Sequence, residues 1–146
     1  MLNQSELNAQ DWLNRMHDTA RLIESLEAKR EEVISSLSGI GKYDADSIPA
    51  QTGENATETK NLLYSKLSAE IEKNTSILMA EDNRTLDVIL MVKDPRMKSV
   101  LIDRYLSRLK WEDIAVKQNY SISWIYKLHE SALRKVCPFI PKEVIP

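Results

Sequence analysis

Between Trp12 and Leu37, residues suited to a helix interface recur at alternating steps of four and three positions. This spacing is the pattern of a helix that buries one narrow stripe against a partner helix. A lone helix with so narrow a stripe is not stable in water. The sequence therefore predicts a first helix, from Ser5 or Asn8 to about Ser38, that needs a second helix. Its stripe consists of Trp12, Met16, Thr19, Ile23, Leu26, Arg30, Val33 and Leu37.

A second stripe with the same spacing supplies the partner, and it predicts a helix from about Thr57 to Val92. All three glycines of the chain lie in residues 39–56, which are predicted to form an exposed loop. We therefore expect residues 1–92 to form an antiparallel, coiled-coil-like helical hairpin that serves in dimerisation or docking. The second stripe consists of Tyr64, Leu67, Ile71, Asn74, Leu78, Glu81, Thr85, Val88 and Val92.

Residues 110–136 are predicted to form a helix, a break and a second helix. Glu112 and Asp113 place acids in the first turn of the first helix, where the helix dipole favours them. Asn119 tolerates the left-handed conformation that ends a helix, and Ser121 is a good N-cap for the next one. The buried face of the second helix is predicted to consist of Ile125, Leu128, Ala132, Leu133 and Val136.

A shorter helix is predicted just before this segment, with Asp94 as its N-cap, Pro95 as its first residue and its end near Arg108. Its apolar residues would form a floor under the two helices that follow. Three prolines lie after Val136 and exclude a further regular element. Phe139 and Ile140 are expected to pack under the last helix, and the alternative is that the tail is a short docking peptide. The floor residues are Met97, Val100, Leu101, Tyr105 and Leu109.

The outer face of the last predicted helix combines short polar, aromatic and basic side chains, which suits the base edges and phosphates of a DNA major groove. Trp124 would contact a thymine methyl group there, or else occupy a core position at the helix edge, whereas Trp111 is expected to pack in the core. His129 is expected to pack beside the helix or to reach a phosphate. Predicted phosphate contacts are Lys110, Lys117, Lys127, Arg134 and Lys135, assisted by Asn119 and Ser121. Predicted base contacts are Ile122, Ser123, Trp124, Tyr126, Lys127 and Glu130.

The same segment resembles region 4 of the sigma-70 factors. The shared frame is the run Glu112-Asp113-Ile114-Ala115, the serine Ser121 that opens the second helix, and the run from Ala132 to Lys135. It resembles more closely the small phage-encoded regulators of the RinA and ArpU kind, which activate late phage genes in Gram-positive hosts. That likeness lies in Arg104-Tyr105-Leu106, Trp111, Tyr120-Ser121, Leu128-His129 and Ala132-Leu133.

The resemblance covers the last third of the chain, while the first two-thirds agree only in having long helices ahead of the terminal module. It implies a helix-turn-helix in residues 93–146 that binds duplex DNA. Where sigma region 4 places Arg and Glu early in its recognition helix, this chain has Ile122, Ser123 and Trp124. The target is therefore expected to differ from the usual promoter element.

The distribution of charge favours the same division. The net charge is −2 overall, yet residues 93–136 contain ten Lys or Arg against five Asp or Glu. Residues 1–92 contain nine against sixteen. A basic module joined to an acidic body is expected when only one part of a chain contacts phosphate.

The sequence offers little that suggests catalysis or metal binding. The histidines His17 and His129 lie in different predicted modules with no ligand partners at suitable spacing, and Cys137 is the only cysteine. We therefore expect no enzyme activity, no metal and no cofactor. The absence of an apolar run long enough to span a bilayer, and of a signal peptide, predicts no membrane association and a cytoplasmic location. The resemblance to phage regulators implies that this location is the nucleoid of a bacterial host.

Together these features predict an all-α, sequence-specific regulator of transcription, most simply a phage or prophage late-gene activator. It would bind double-stranded DNA near a promoter as a homodimer and act with host RNA polymerase or a sigma factor. One alternative is a DNA-packaging protein like a small terminase subunit, which forms rings. Another is a coiled-coil interaction protein that does not bind DNA.

Overall fold

A computed structural model describes residues 1–38 and 54–142. Every regular element in these ranges is helical, as the predicted all-α class requires. One π-helical turn (Ile102–Leu106) and one 3-10 turn (Cys137–Phe139) accompany the α-helices. The α-helices are α1 (Gln4–Leu13), α2 (His17–Ser38), α3 (Glu54–Ile89), α4 (Pro95–Leu101), α5 (Trp111–Gln118) and α6 (Ile122–Val136).

Packing divides the chain into two compact units that are not the two predicted domains. The composite unit consists of residues 1–18 together with the chain from residue 79 onward, and the helical-pair unit consists of residues 19–78. The prediction had placed all of residues 1–92 in a hairpin and residues 93–146 in a separate domain. The division differs because α1 packs on α6 and because Arg15 is hydrogen-bonded to Glu81.

The predicted single helix from Ser5 or Asn8 to Ser38 is wrong, because residues 14–16 form a turn between α1 and α2. The carbonyl of Trp12 accepts from the backbone N–H of Arg15 at 3.2 Å and from its guanidinium at 2.9 Å. The same guanidinium reaches the Glu81 carboxylate at 2.8 Å and the Thr85 hydroxyl at 2.9 Å. These long-range bonds stabilise the turn and direct Trp12 into the core of the composite unit.

α1 also begins earlier than predicted, because Asn3 caps it. The Asn3 side chain accepts from the backbone N–H of Glu6 at 2.9 Å, and the Glu6 carboxylate accepts from the backbone N–H of Asn3 at 3.0 Å. This reciprocal pair is a capping box, which satisfies two backbone donors that the helix itself leaves free.

In the helical-pair unit, the predicted stripes supply three of the buried positions, and Ala20 is buried outside them. Ile23 and Val33 of α2 and Ile71 of α3 are buried, and the Arg30 guanidinium lies 3.5 Å from the Ser68 hydroxyl. Of the predicted loop at 39–56, residues 54–56 belong to α3 and the remainder lies outside the described residues.

The composite unit has two groups of buried side chains. The larger group joins α1, the end of α3, the π-helical turn and α6, and the smaller one lies among α4, α5 and α6. The predicted floor is confirmed at Val100, Leu101 and Tyr105, which are all buried. The larger group contains Ala9, Trp12, Leu13, Ile89, Val92, Leu101, Tyr105, Ala132, Leu133 and Val136. The smaller group contains Val100, Ile114, Ala115, Ile125 and Leu128.

The predicted start of α4 is confirmed, since the Asp94 carboxylate accepts from the backbone N–H of Arg96 and Pro95 is the first helical residue. The predicted end at about Arg108 is confirmed to within two residues, because the helical stretch continues without a break to Leu106. The helix passes into the π-helical turn, and Arg108 has a left-handed backbone (φ 57°). Its guanidinium bonds to the Asp82 carboxylate at 2.9 Å and to the Leu106 carbonyl at 2.7 Å, which compensates the strain of that conformation.

Candidate nucleic-acid interface

The turn between α5 and α6 sets the direction in which α6 leaves the core. Asn119 has the predicted left-handed conformation (φ 60°, ψ 43°). Its backbone N–H donates to the Val116 carbonyl at 3.2 Å, and that of Tyr120 donates to the Ala115 carbonyl at 3.0 Å. These two bonds are the Schellman arrangement that closes a helix. The predicted cap of α6 is also confirmed, because the Ser121 hydroxyl accepts from the backbone N–H of Trp124.

α6 has one buried face and one exposed face. Ile125, Ala132 and Leu133 have no exposed surface, and all five residues predicted for the inner face are buried. The described side chains on the outer face are exposed, except that Glu130 is half-buried. The exposed residues predicted to bind DNA from this helix and its cap are Ser121, Ile122, Ser123, Trp124, Tyr126, Lys127, Arg134 and Lys135.

His129 belongs to the inner face, so the expectation that it could reach a phosphate is wrong. Its Nε2 lies 2.6 Å from the Tyr105 hydroxyl, and both side chains are buried. Burial lowers the pKa of His129 to about 4 and raises the pKa of Tyr105 to about 12. At neutral pH both groups are therefore uncharged, and the pair is a hydrogen bond in the core.

Trp111 packs, as predicted, beside the same histidine. Its ring lies 4.6 Å from that of His129 and 5.4 Å from that of Tyr126, edge-on in both cases. The Arg104 guanidinium lies over the Trp111 ring, 4.4 Å from the ring centroid, and it donates to the Leu109 carbonyl. These contacts hold Tyr126 at the edge of the outer face and give Arg104 a structural role.

Asp103 is a buried acid that the sequence reasoning did not single out. It accepts from Lys117 Nζ and from Gln118 Nε2, each at 2.7 Å. Its side chain is almost fully buried, whereas that of Lys117 is mostly exposed. The pair therefore attaches the end of α5 to the π-helical turn. The only signal in the sequence is an acid between Leu101 and Tyr105 in an otherwise apolar floor.

Arg134 is also engaged by carboxylates. It bonds to Glu6 of α1 at 3.1 Å and to Glu130, one turn earlier in α6, at 2.6 Å. Glu6 is buried, so this contact fixes α1 against α6. Arg134 and Lys117, both predicted to contact phosphate, therefore stabilise the composite unit. Their side chains nevertheless keep more than half of their surface exposed.

The other predicted cations are less constrained. Among the described residues, Lys110, Lys127 and Lys135 are exposed and have no carboxylate partner. Lys127 borders a shallow groove of about 300 Å³ together with Trp124 and Arg134. Lys135 instead borders an apolar groove of about 370 Å³ that Met91, Met97 and Phe139 line.

The predicted packing of the tail is confirmed only in part. Ile140 is half-buried against the larger group of core residues, but Phe139 is exposed because it lies at the open edge of that apolar groove. The side chain of Cys137 is half-buried, and burial raises the pKa of its thiol.

The residues predicted to bind DNA lie between the N-cap of α5 and the end of α6 in the sequence, and all of them except Glu130 are exposed. Within the described ranges, no helix combines the length and apolar character needed to cross a membrane. No family model, curated protein or solved structure matches the chain. The geometry and charges of the chain itself are therefore the basis for assigning it a function.

Proposed function

We propose that the chain is a sequence-specific regulator of transcription that binds double-stranded DNA and uses α6 as its reading helix. The observation that carries this proposal is the asymmetry of α6. One face is fully buried, while the other is exposed and presents serine, aromatic and lysine side chains. A capped helix that a short turn holds outward from a rigid core is the geometry by which helix-turn-helix proteins enter the major groove.

The size of α6 suits this role. Its 15 residues correspond to about 22 Å, and an α-helix fits the width of the major groove. In this arrangement the first turns contact base edges and the flanking segments contact the backbone. We assign base contact to Ile122, Ser123, Trp124, Tyr126 and Lys127, with Glu130 at the margin of the set.

Phosphate contact is assigned first to Lys110 and Lys127, because both are exposed and lack a carboxylate partner in the described part of the chain. Lys117 and Arg134 are secondary, since a phosphate would have to share them with Asp103 and Glu6. Asn119 and Ser121 lie in the exposed turn and assist through their polar groups. Lys135 lies in the last turn of α6, far from the first turns that contact base edges, and is assigned to a flanking phosphate.

The resemblance to sigma region 4 and to phage late-gene regulators supports the biological part of the proposal. The chain would act near a promoter in the bacterial cytoplasm, beside host RNA polymerase or a sigma factor, without catalysis or a cofactor. The helical-pair unit would serve in dimerisation or docking. A homodimer is favoured because one reading helix gives modest specificity and a two-fold pair reads two half-sites.

The first experiment is a titration of duplex DNA from the neighbourhood of the gene with the full chain, repeated at several salt concentrations. The test variant is Lys127→Ala with Trp124→Ala. The matched control is Lys93→Ala with Leu90→Ala, which removes an exposed lysine and an exposed apolar residue of the composite unit outside α5 and α6. We expect a specific complex whose affinity falls steeply with salt, because phosphate contacts release counterions.

The outcomes separate the proposed function from its alternatives. Loss of the specific complex in the test variant, but not in the control, would support α6 as the reading helix. No complex at low salt with a folded protein would favour an interaction protein. The mass of the assembly in solution separates a dimeric regulator from a packaging protein, which would form a large ring.

A further inference from the structure

Large apolar side chains are unusually exposed around the turn and at the start of α6. Val116 is 82% exposed, Tyr126 46% and Trp124 40%, and Tyr120 and Ile122 are each exposed by more than a third. All five lie within eleven consecutive residues. Tyr120 and Trp124 are also neighbours in space, and adjacent exposed apolar groups of this kind indicate a surface that is covered when a partner binds.

The polar side chains near this cluster are largely engaged elsewhere. Gln118 donates to buried Asp103, and Lys117 is ion-paired with the same carboxylate. Glu130 and Arg134 are paired with each other. Arginine, lysine, glutamine and asparagine make the bidentate hydrogen bonds that distinguish bases, and Lys127 is the one such residue described on the exposed face at the start of α6. At the start of α6, the side chains of Ser123 and Lys127 are exposed. No hydrogen bond or ion pair of the described residues engages them, so they are available for hydrogen bonds to bases.

The start of α6 therefore offers more apolar contact than hydrogen bonding. In the major groove, the distinctive apolar group on a base pair is the 5-methyl group of thymine. We propose that α6 recognises its DNA chiefly through thymine methyl groups, so that the bases facing Ile122, Trp124 and Tyr126 include thymines. This inference rests on the proposed function and specifies the ligand of the same surface.

The geometry favours rigid apolar contacts of this kind. The Trp111 ring supports Tyr126 edge-on, and the rings of Tyr120 and Trp124 lie 6.4 Å apart. Aromatic side chains have few rotatable bonds, so little conformational entropy is lost when they pack. Successive residues turn by about 100° around a helix, so Trp124 and Tyr126 flank the outer face on opposite sides with Lys127 between them. Thymine methyl groups on one side of the groove floor would contact the Trp124 ring, and those on the other side would contact the Tyr126 ring.

The test has two stages and uses the full chain. First, duplexes with a randomised centre are selected for binding, and we expect thymine to be enriched at several positions. Second, each enriched thymine is replaced by uracil, which removes the methyl group and keeps every hydrogen-bonding group and phosphate. Burial of one methyl-sized group corresponds to about a fourfold effect, so we expect about fourfold weaker binding for each contacted thymine. The salt dependence should not change, because the phosphate contacts are the same.

The variant Trp124→Ala should abolish the difference between thymine and uracil at the position that this side chain contacts. The matched control is Met91→Ala, an exposed apolar residue of the same unit that lies outside the cluster, and it should leave the ratio unchanged. A selected site without thymine, or equal affinity for the uracil duplexes, would overturn this inference and leave the proposed function intact. Failure to select any duplex from a folded protein would overturn both.

Discussion

The hydroxyl oxygen of Tyr105 lies 2.6 Å from Nε2 of His129, in the interior of the composite unit. The bond joins the π-helical turn to the inner face of α6 across a stretch of 24 residues. It satisfies two polar groups that would otherwise be costly to bury. It also links α6 to the π-helical turn and so helps to fix the orientation of α6 in the composite unit.

This pair makes the stability of the protein sensitive to acid. The pKa of His129 is about 4 in the folded chain, against an ordinary value of 6.5, because burial disfavours the imidazolium. Between these values the unfolded chain binds a proton that the folded chain does not. The stability that comes from keeping His129 neutral is therefore fully present above pH 6.5, and it is lost as the pH falls toward 4. We expect a loss of about 3 kcal/mol at most.

Urea unfolding at about pH 7.5 and about pH 4.5 measures this effect. The control variant is His129→Gln, which retains a hydrogen-bonding side chain but does not titrate. Its stability should change less between the two pH values than that of the native chain. The remaining change would report other groups, including Glu81, whose pKa the hydrogen bond from Arg15 lowers. An equal change in both proteins would contradict the prediction.

Replacement of Lys117 should destabilise the protein even without DNA. Lys117→Met leaves the buried Asp103 carboxylate with Gln118 as its remaining side-chain partner, and we expect a loss of about 2 kcal/mol. Lys110→Met, at an exposed lysine without a carboxylate partner among the described residues, should cost less than about 0.5 kcal/mol. Chemical unfolding of the two variants provides the comparison.

A second substitution shows whether the buried charge causes that loss. Asp103→Asn, added to Lys117→Met, removes the unpaired carboxylate and should restore part of the lost stability. Strictly additive losses in the double variant would argue that Lys117 and Asp103 act independently.

Glu6 should be important for holding α1 in place. Glu6→Ala removes half of the capping box and the buried end of the ion pair with Arg134, so we expect a loss of about 1 to 2 kcal/mol. Asp11→Ala is the matched control, because Asp11 is an exposed acid on the same helix. Hydrogen exchange of the α1 backbone amides should accelerate in the first variant only. Similar exchange in both would contradict a structural role for Glu6.

The neighbours Trp124 and Ile125 should behave in opposite ways. Ile125→Ala opens a cavity at a fully buried position and should cost about 3 kcal/mol in unfolding free energy. Trp124→Ala removes an exposed ring and should cost less than about 1 kcal/mol. Urea unfolding of each variant tests the orientation of α6. Comparable losses would mean that Trp124 occupies a core position instead of the outer face.

The features that the sequence predicted correctly depend on short-range interactions. The left-handed Asn119, the cap at Ser121 and the cap at Asp94 each involve atoms a few residues apart, so local residue type is sufficient to place them. The inner face of α6 follows from helical periodicity, as do Ile23 and Ile71 in the helical-pair unit. The all-α class followed from the same periodicity.

Local signals did not reveal the break at residues 14–16, because the stripe of the first predicted helix continues through it. What stabilises the break is Arg15, whose guanidinium bonds to Glu81, 66 positions away in the sequence. Likewise, the sequence could show that Arg134 is a cation on the outer side of α6, but not that Glu6 holds it from 128 positions away.

The sequence by itself determined the all-α class, the caps of α4 and α6, the left-handed end of α5, and which face of α6 is buried. Only the tertiary structure decided which cations are engaged by carboxylates and which polar side chains remain available on the outer face. The physical reason is the range of the interactions. Backbone caps and helical periodicity act within about one or two turns, whereas the partners of Asp103 and Glu6 are brought close only by the packing of separate helices.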